Sequence, residues 1–212
     1  MSKFYRFALA VMRPVMHLAF SIRTVGRENI PEQGGYLFVS NHRSNADPIL
    51  IPMLASKHEF CFIAKQELFR NRFFEKIITA LGAIAIDRGS GDLSPLDELS
   101  HRLHTGKNGL IFPEGTRSKD GRLGRFKSGA AYIVAQAGAD VVPVSVQFQG
   151  KLRFRSRITV TFGQPIRLLE APLTEPNPRE LRRIKTEMQQ AVAALLPAPE
   201  EKLIQQEVKP EE

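Results

Sequence analysis

Cysteine is nearly absent, and the one thiol, Cys61, stands in the apolar run "EFCFIA". A single cysteine forbids an intrachain disulfide and a Cys-rich metal site, and it points to a reducing compartment. A nucleophilic role is also disfavoured, because thiols in apolar surroundings are usually inert. No apolar run approaches the roughly 20 residues that a membrane-spanning helix needs. The N-terminal stretch "MSKFYRFALAVMRPVMHLAFSIRTVGR" comes nearest, but Arg6, Arg13, Pro14 and His17 interrupt it. It lacks a small-residue cleavage site behind a clean apolar region, so it reads poorly as a secretory signal. Internal repeats are missing too. Acidic residues are in deficit, 22 against 30 Lys and Arg, which leaves a net charge of +8. An anionic partner follows: a nucleic acid, a membrane surface or a phosphorylated small molecule. Most of the 14 Phe lie in apolar runs such as "YLFVS", where core packing explains them better than base stacking, so nucleic acid is not the expected partner.

What is present suffices for one domain with a real core: 212 residues, 42% hydrophobic and 25% charged. Short β-rich runs, each closed by polar or turn residues, predict strands over 34–41, 59–65, 82–88, 109–115, 141–148 and 157–166. Helical length and spacing over 48–57, 67–81, 92–105 and 127–138 supply the connections, and 178–196 reads as a last amphipathic helix. The expected fold is α/β: a single domain with a central, mostly parallel or mixed sheet flanked by helices. Residues 1–22 predict an amphipathic helix. Its broad apolar surface, with Lys3, Arg6, Arg13 and Arg23 for anionic headgroups, suits a membrane interface, although a helix packed on the domain would look similar. The three segments are then the helix 1–22, the domain 23–196 and an acidic tail 197–212 expected to be poorly ordered.

In an open sheet of this kind ligands gather outside the carboxyl ends of the strands. The residues just after the apolar runs are the chemical ones. "YLFVS" leads to Asn41 and His42, "FCFIA" to Lys65, "AIAI" to Asp87 and Arg88, and "LIF" to Pro113, Glu114, Gly115, Thr116 and Arg117. Two readings fit His42 and Asp47. The aspartate could orient a catalytic imidazole, or it could be a helix cap before Pro48, and the roles are compatible. His101 and His104 sit on the amphipathic stretch 92–105 and read as surface or packing histidines, so no metal is expected.

The stretch "NHRSNAD", followed by "GAIAIDR", by "FPEGTRS" about 70 residues after the first, and by "VVPVSV", resembles the ordered motif blocks of the 1-acyl-glycerol-3-phosphate acyltransferase family. The blocks cover residues 40 to 146, roughly half the chain. The resemblance implies that His42 is the general base and Asp47 its orienter. It further implies that Arg88 contacts the acceptor phosphate and that Glu114, Gly115, Thr116 and Arg117 hold the glycerol phosphate end; Lys65, by its place after a strand, is expected on the same edge. Ala85 stands where the family often has a larger residue, which bears on pocket shape.

The residue types make chemical sense on their own. An alcohol attacking a thioester must lose its proton as the bond forms, and a histidine does this well near neutral pH. Arginines after strands can clamp a phosphate in a bidentate fork. Ser40 and Ser44 flank His42, yet no G-x-S-x-G elbow is present to expose a serine nucleophile, so direct attack is expected. The implied reaction moves a fatty acyl group from acyl-CoA or acyl carrier protein to the sn-2 hydroxyl of lysophosphatidate, giving phosphatidate. No cofactor beyond that co-substrate is called for. The expected place is the cytoplasmic face of an anionic membrane, as a peripheral or monotopic protein. Other lyso-lipid acceptors, or a membrane module that binds without turnover, stay open at this level.

Overall fold

In the computed structural model, which describes residues 1–55, 58–87, 89–175 and 177–197, seven strands form one sheet with helices on both faces. The helices are α1 (Lys3–Ala19), α2 (Asp47–Leu54), α3 (Arg72–Ala80), α4 (Ser94–His104), α5 (Gly129–Ala137) and α6 (Pro178–Ala193). The strands are β1 (Ser21–Val25), β2 (Leu37–Ser40), β3 (Phe60–Lys65), β4 (Ala83–Ile86), β5 (Asn108–Ile111), β6 (Val141–Gln147) and β7 (Arg157–Phe162). Their spatial order is β1-β7-β6-β2-β5-β3-β4. From β6 through β4 every neighbouring pair is parallel, so five carboxyl ends emerge at one edge. β7 runs antiparallel to β6, and β1 runs parallel to β7.

Side chains alternate across each strand, and the two apolar faces are covered separately. Val39, Cys61 and Ile111 pack under α4, α5 and α6 with Leu99, Ile133 and Met188. Phe38, Phe60, Leu110 and Val142 pack on the other face with Leu50 and Met53 of α2 and Met16 of α1. Phe62 touches that second cluster and also the small one formed by Ala64, Ile78 and Ala83, which puts α3 on the same face as α1 and α2.

Local chemistry sets the helix starts. Ser2 accepts from the Tyr5 N–H, Asn71 from Phe73 and Phe74, and Asn177 from Arg179 and Glu180, each a side-chain oxygen satisfying free donors of the first turn. Pro143 stands inside a central strand, where its missing N–H would normally break a ladder. Here its carbonyl accepts from Gly163 beyond the end of β7, so the proline nitrogen falls in the gap between the β6–β7 ladder and the single bridge of Val141 to Ile166.

Two sequence expectations change. The segment 1–22 is not one helix: α1 ends at Ala19, and Ser21–Val25 joins the sheet as an edge strand against β7. That strand is short, with one face exposed and the other only partly buried, so only its partner reveals it. The predicted helix 67–81 is a 3-10 turn, Gln66–Phe69, followed by α3. The tail expected after Pro197 lies outside the described residues.

Candidate active site

Asn41 makes the site possible. Beyond the last residue of β2, its side chain both donates to the Val146 carbonyl (3.0 Å) and accepts from the Val146 N–H (2.8 Å), imitating one more rung of the β2–β6 ladder. The next residue is thereby held at the carboxyl edge. His42 is fixed at both backbone ends by the neighbouring turn after β5: its N–H donates to Glu114 Oε1 (2.8 Å), and its carbonyl accepts from Ser118 (2.8 Å).

The imidazole is held as firmly. Nδ1 lies 2.9 Å from Asp47 Oδ2, and the ring stacks on Phe112 with centroids 4.2 Å apart and an interplanar angle of 22°. With Nδ1 directed at a carboxylate, Nε2 is the nitrogen left for a substrate. The side chain is 17% exposed, enough for one face to be reached from solution.

Asp47 is fully buried and satisfied from several sides. Oδ2 also accepts from the N–H groups of Arg43 (2.7 Å) and Ser44 (2.8 Å), and Oδ1 accepts from Ser44 Oγ (2.6 Å). The helix-cap alternative is corrected here. Ala46 is the cap position of α2, Asp47 is the first helical residue, and its carboxylate turns back onto the loop that carries His42. Ser44 spends its hydroxyl on Asp47, and buried Ser40 donates to the Asn41 carbonyl, so neither serine is presented as a nucleophile.

Glu114 also departs from expectation. It was expected to hold the substrate, but it is 7% exposed, and its second oxygen accepts from Gly124 (2.9 Å). Each oxygen accepts one bond inside the protein, tying the β5 turn to His42 and to the following loop. Gly115 has φ of 71°, and a Cβ there would stand 3.0 Å from Lys127 Nζ, so the turn needs glycine and brings that ammonium over it. Thr116 and Arg117 follow on the exposed rim of the same turn.

Lys65 is exposed at the end of β3, two strands from β2, which sets the backbones about 10 Å apart along the edge. Asp87 follows β4, one strand further. Arg88 lies outside the described residues. Cys61 is buried and donates to the Asn108 carbonyl, and burial pushes its thiol up to about 12, which removes it from nucleophilic chemistry.

Sequence reasoning missed three supports. In the sequence Phe112 reads only as strand core, Glu114 as a substrate ligand, and Arg43 carries no signal of its own. The Arg43 guanidinium lies 4.4 Å over the Phe148 ring and donates to the Phe148 carbonyl, clamping the end of β6 beside the histidine loop. Desolvation lowers its pKa, while Asp47, Asp120 and Glu114 push it back up. The only signal of its role was its position next to His42.

Comparison with known proteins gives a consistent answer. A family model described as Acyltransferase matches residues 21–147. The chain is 32% identical over 154 residues to the chloroplastic 1-acyl-sn-glycerol-3-phosphate acyltransferase of Arabidopsis thaliana, across 71% of this chain and 43% of that protein. It is 32% identical over 169 residues to the 1-acyl-sn-glycerol-3-phosphate acyltransferase of Streptococcus pneumoniae, across 76% of this chain and 62% of that protein. The chain thus spans less than two thirds of the length of these curated relatives. Among solved structures, the 1-acyl-sn-glycerophosphate (LPA) acyltransferase PlsC of Thermotoga maritima superposes with a TM-score of 0.64 at 28% identity, over 91% of this chain and 77% of that one.

Proposed function

This chain belongs to the acyltransferase family, and from that premise we propose that it transfers a fatty acyl group from a thioester to the sn-2 hydroxyl of 1-acyl-glycerol-3-phosphate, giving phosphatidate. The carrying observation is the pair His42 and Asp47 at 2.9 Å, at the carboxyl edge of β2.

In this reading Nε2 of neutral His42 takes the proton of the sn-2 hydroxyl as its oxygen attacks the thioester carbonyl. Asp47 holds Nδ1–H and stabilises the imidazolium that forms. The tetrahedral intermediate collapses, the C–S bond breaks, and the imidazolium returns the proton to the departing thiolate. The products are phosphatidate and a free thiol, with no acyl-enzyme between them. Arg117, Thr116, Lys65 and Arg88 are the groups we assign to the acceptor phosphate, since a dianion on this edge needs cations and donors rather than the enclosed Glu114. The donor is acyl-CoA or acyl carrier protein.

The lipid substrates call for a membrane surface. No helix among the described residues is long and apolar enough to cross a bilayer. α1 docks one face on the domain through Tyr5 and Met16, while Phe7 and Leu18 are 65% and 77% exposed on another. We assign that exposed stripe, beside Lys3, Arg6 and Arg13, to the interface of the cytoplasmic leaflet, where both soluble donors reach the site.

The test is thiol release from oleoyl-CoA with lysophosphatidate in detergent micelles, with the lipid product identified. Wild type should yield phosphatidate, and His42→Ala should lose about 10²- to 10⁴-fold in rate while remaining folded. A folded His42→Ala enzyme with most of its activity would sink the mechanism.

A further inference from the structure

Exposed apolar surface is distributed unequally over the two faces of the sheet. Among the described residues, α4, α5 and α6 expose no large hydrophobic side chain. On the other face α1 is not alone. Phe73 of α3 is 76% exposed, Phe74 44%, and Leu68 of the preceding 3-10 turn 46%. Phe73, Phe74, Ile77 and Ile78 form one broad apolar arc of α3, yet only its Ile78 border is buried against the sheet. Ile77 is half-buried, and Phe73 and Phe74 are left to water, at a cost that packing within this chain does not remove.

The charges around the patch are lopsided. Lys65, Arg70, Arg72 and Lys76 are exposed about it, against the carboxylates of Glu67 and Glu75. A second copy docking on itself would oppose two positive surfaces, whereas an anionic lipid surface answers both the charge and the aromatic rings. Position adds to this. The 3-10 turn begins where β3 ends, at Lys65, so the patch flanks the same carboxyl edge that carries His42.

We propose that the 3-10 turn and first turn of α3 form a second lipid-contacting surface, in which Leu68, Phe73 and Phe74 enter the interfacial region of an anionic bilayer and the surrounding Lys and Arg meet its headgroups. Contact at α1 alone leaves the protein free to rock about one helix. Contact at α1 and α3 fixes the tilt and turns the carboxyl edge of the sheet toward the lipid that carries the acceptor. The inference rests on the acyltransferase reading for its purpose, but its test needs no turnover.

The chain contains no tryptophan, so single Trp variants report their own surroundings. Full-length Phe73→Trp, Phe7→Trp and Gln190→Trp, the last on exposed α6, are mixed with vesicles of three parts phosphatidylcholine to one part phosphatidylglycerol, with and without brominated acyl chains. Blue-shifted emission and quenching are expected at positions 73 and 7 and not at 190. The pair Phe73→Ser with Phe74→Ser should weaken vesicle partitioning by about tenfold, since binding scales with the apolar area inserted. Quenching at 7 without quenching at 73 overturns the proposal and leaves α1 as the contact. A shift at 73 that depends on protein concentration without vesicles overturns it in favour of self-association. Quenching at 73 in a protein with no acyl transfer upholds the lipid contact and removes the acyltransferase reading instead.

Discussion

Replacing Asp47 separates two jobs that one buried carboxylate performs. Asp47→Ala removes the acceptor for the Arg43 and Ser44 N–H groups, at 2.7 and 2.8 Å, together with the partner of the imidazole. Two stranded N–H donors cost about 1–3 kcal/mol each, the lower figure where water reaches them, so the sum is about 2–6 kcal/mol. In a chain of this size 1 kcal/mol moves the midpoint by about 2–4 °C, and a fall of roughly 5 to 20 °C is expected by calorimetry. Asp47→Asn is different. Its oxygen can take the Oδ2 place and keep both N–H bonds, while its amide meets Ser44 Oγ, a hydroxyl that can rotate to accept. The stability loss should stay under about 2 kcal/mol. Catalysis should nevertheless fall by about 10²- to 10⁴-fold, about 2.7–5.4 kcal/mol of barrier, because no charge then faces the imidazolium. Phosphatidate formation under saturating oleoyl-CoA is the assay. An Asn variant with nearly full activity would refute the role of the Asp47 charge in stabilising the imidazolium, and an Ala variant melting like wild type would show that the Arg43 and Ser44 N–H groups do not depend on this carboxylate.

Glu114→Ala strands the N–H groups of His42 and Gly124 and should lower both turnover and melting temperature, whereas Glu114→Gln, with one acceptor restored, should lie between; a pure rise in KM for lysophosphatidate would instead return Glu114 to the substrate. Gly115→Ala must adopt φ of 71° against Lys127 and should cost about 1–2 kcal/mol, read as a lower urea midpoint. Cys61 should resist iodoacetamide at pH 8 until the chain unfolds. Its thiol stays protonated when folded to about 12 but ionises near 9 when unfolded, so the unfolded state binds fewer protons above pH 9 and stability must fall there. Cys61→Ala should remove that part of the alkaline loss, and an unchanged pH dependence would contradict it.

The legible parts of this protein were those written in local pattern. Alternating apolar runs such as "YLFVS" and "VVPVSV" announced strands, Asn71 and Asn177 mark helix starts by chemistry that acts within three residues, and the motifs at His42 and Glu114 stood out because a short, unusual order of residue types rarely arises otherwise. The edge where the chemistry gathers was also foreseeable, because strand ends in a parallel sheet share a side. What each residue does there was not. Asp47 resembled a cap in sequence and became a clamp because its carboxylate folds back over Arg43 and Ser44. Glu114 resembled a ligand and became a buried tie because β5 inserts beside β2, a neighbour 72 positions away along the chain. Ser21–Val25 became a strand only because β7 was there to receive it. Pattern along the chain determines which elements form. Hydrogen-bond partners and burial depend on which elements become neighbours, and that is decided only when the whole sheet closes around one core.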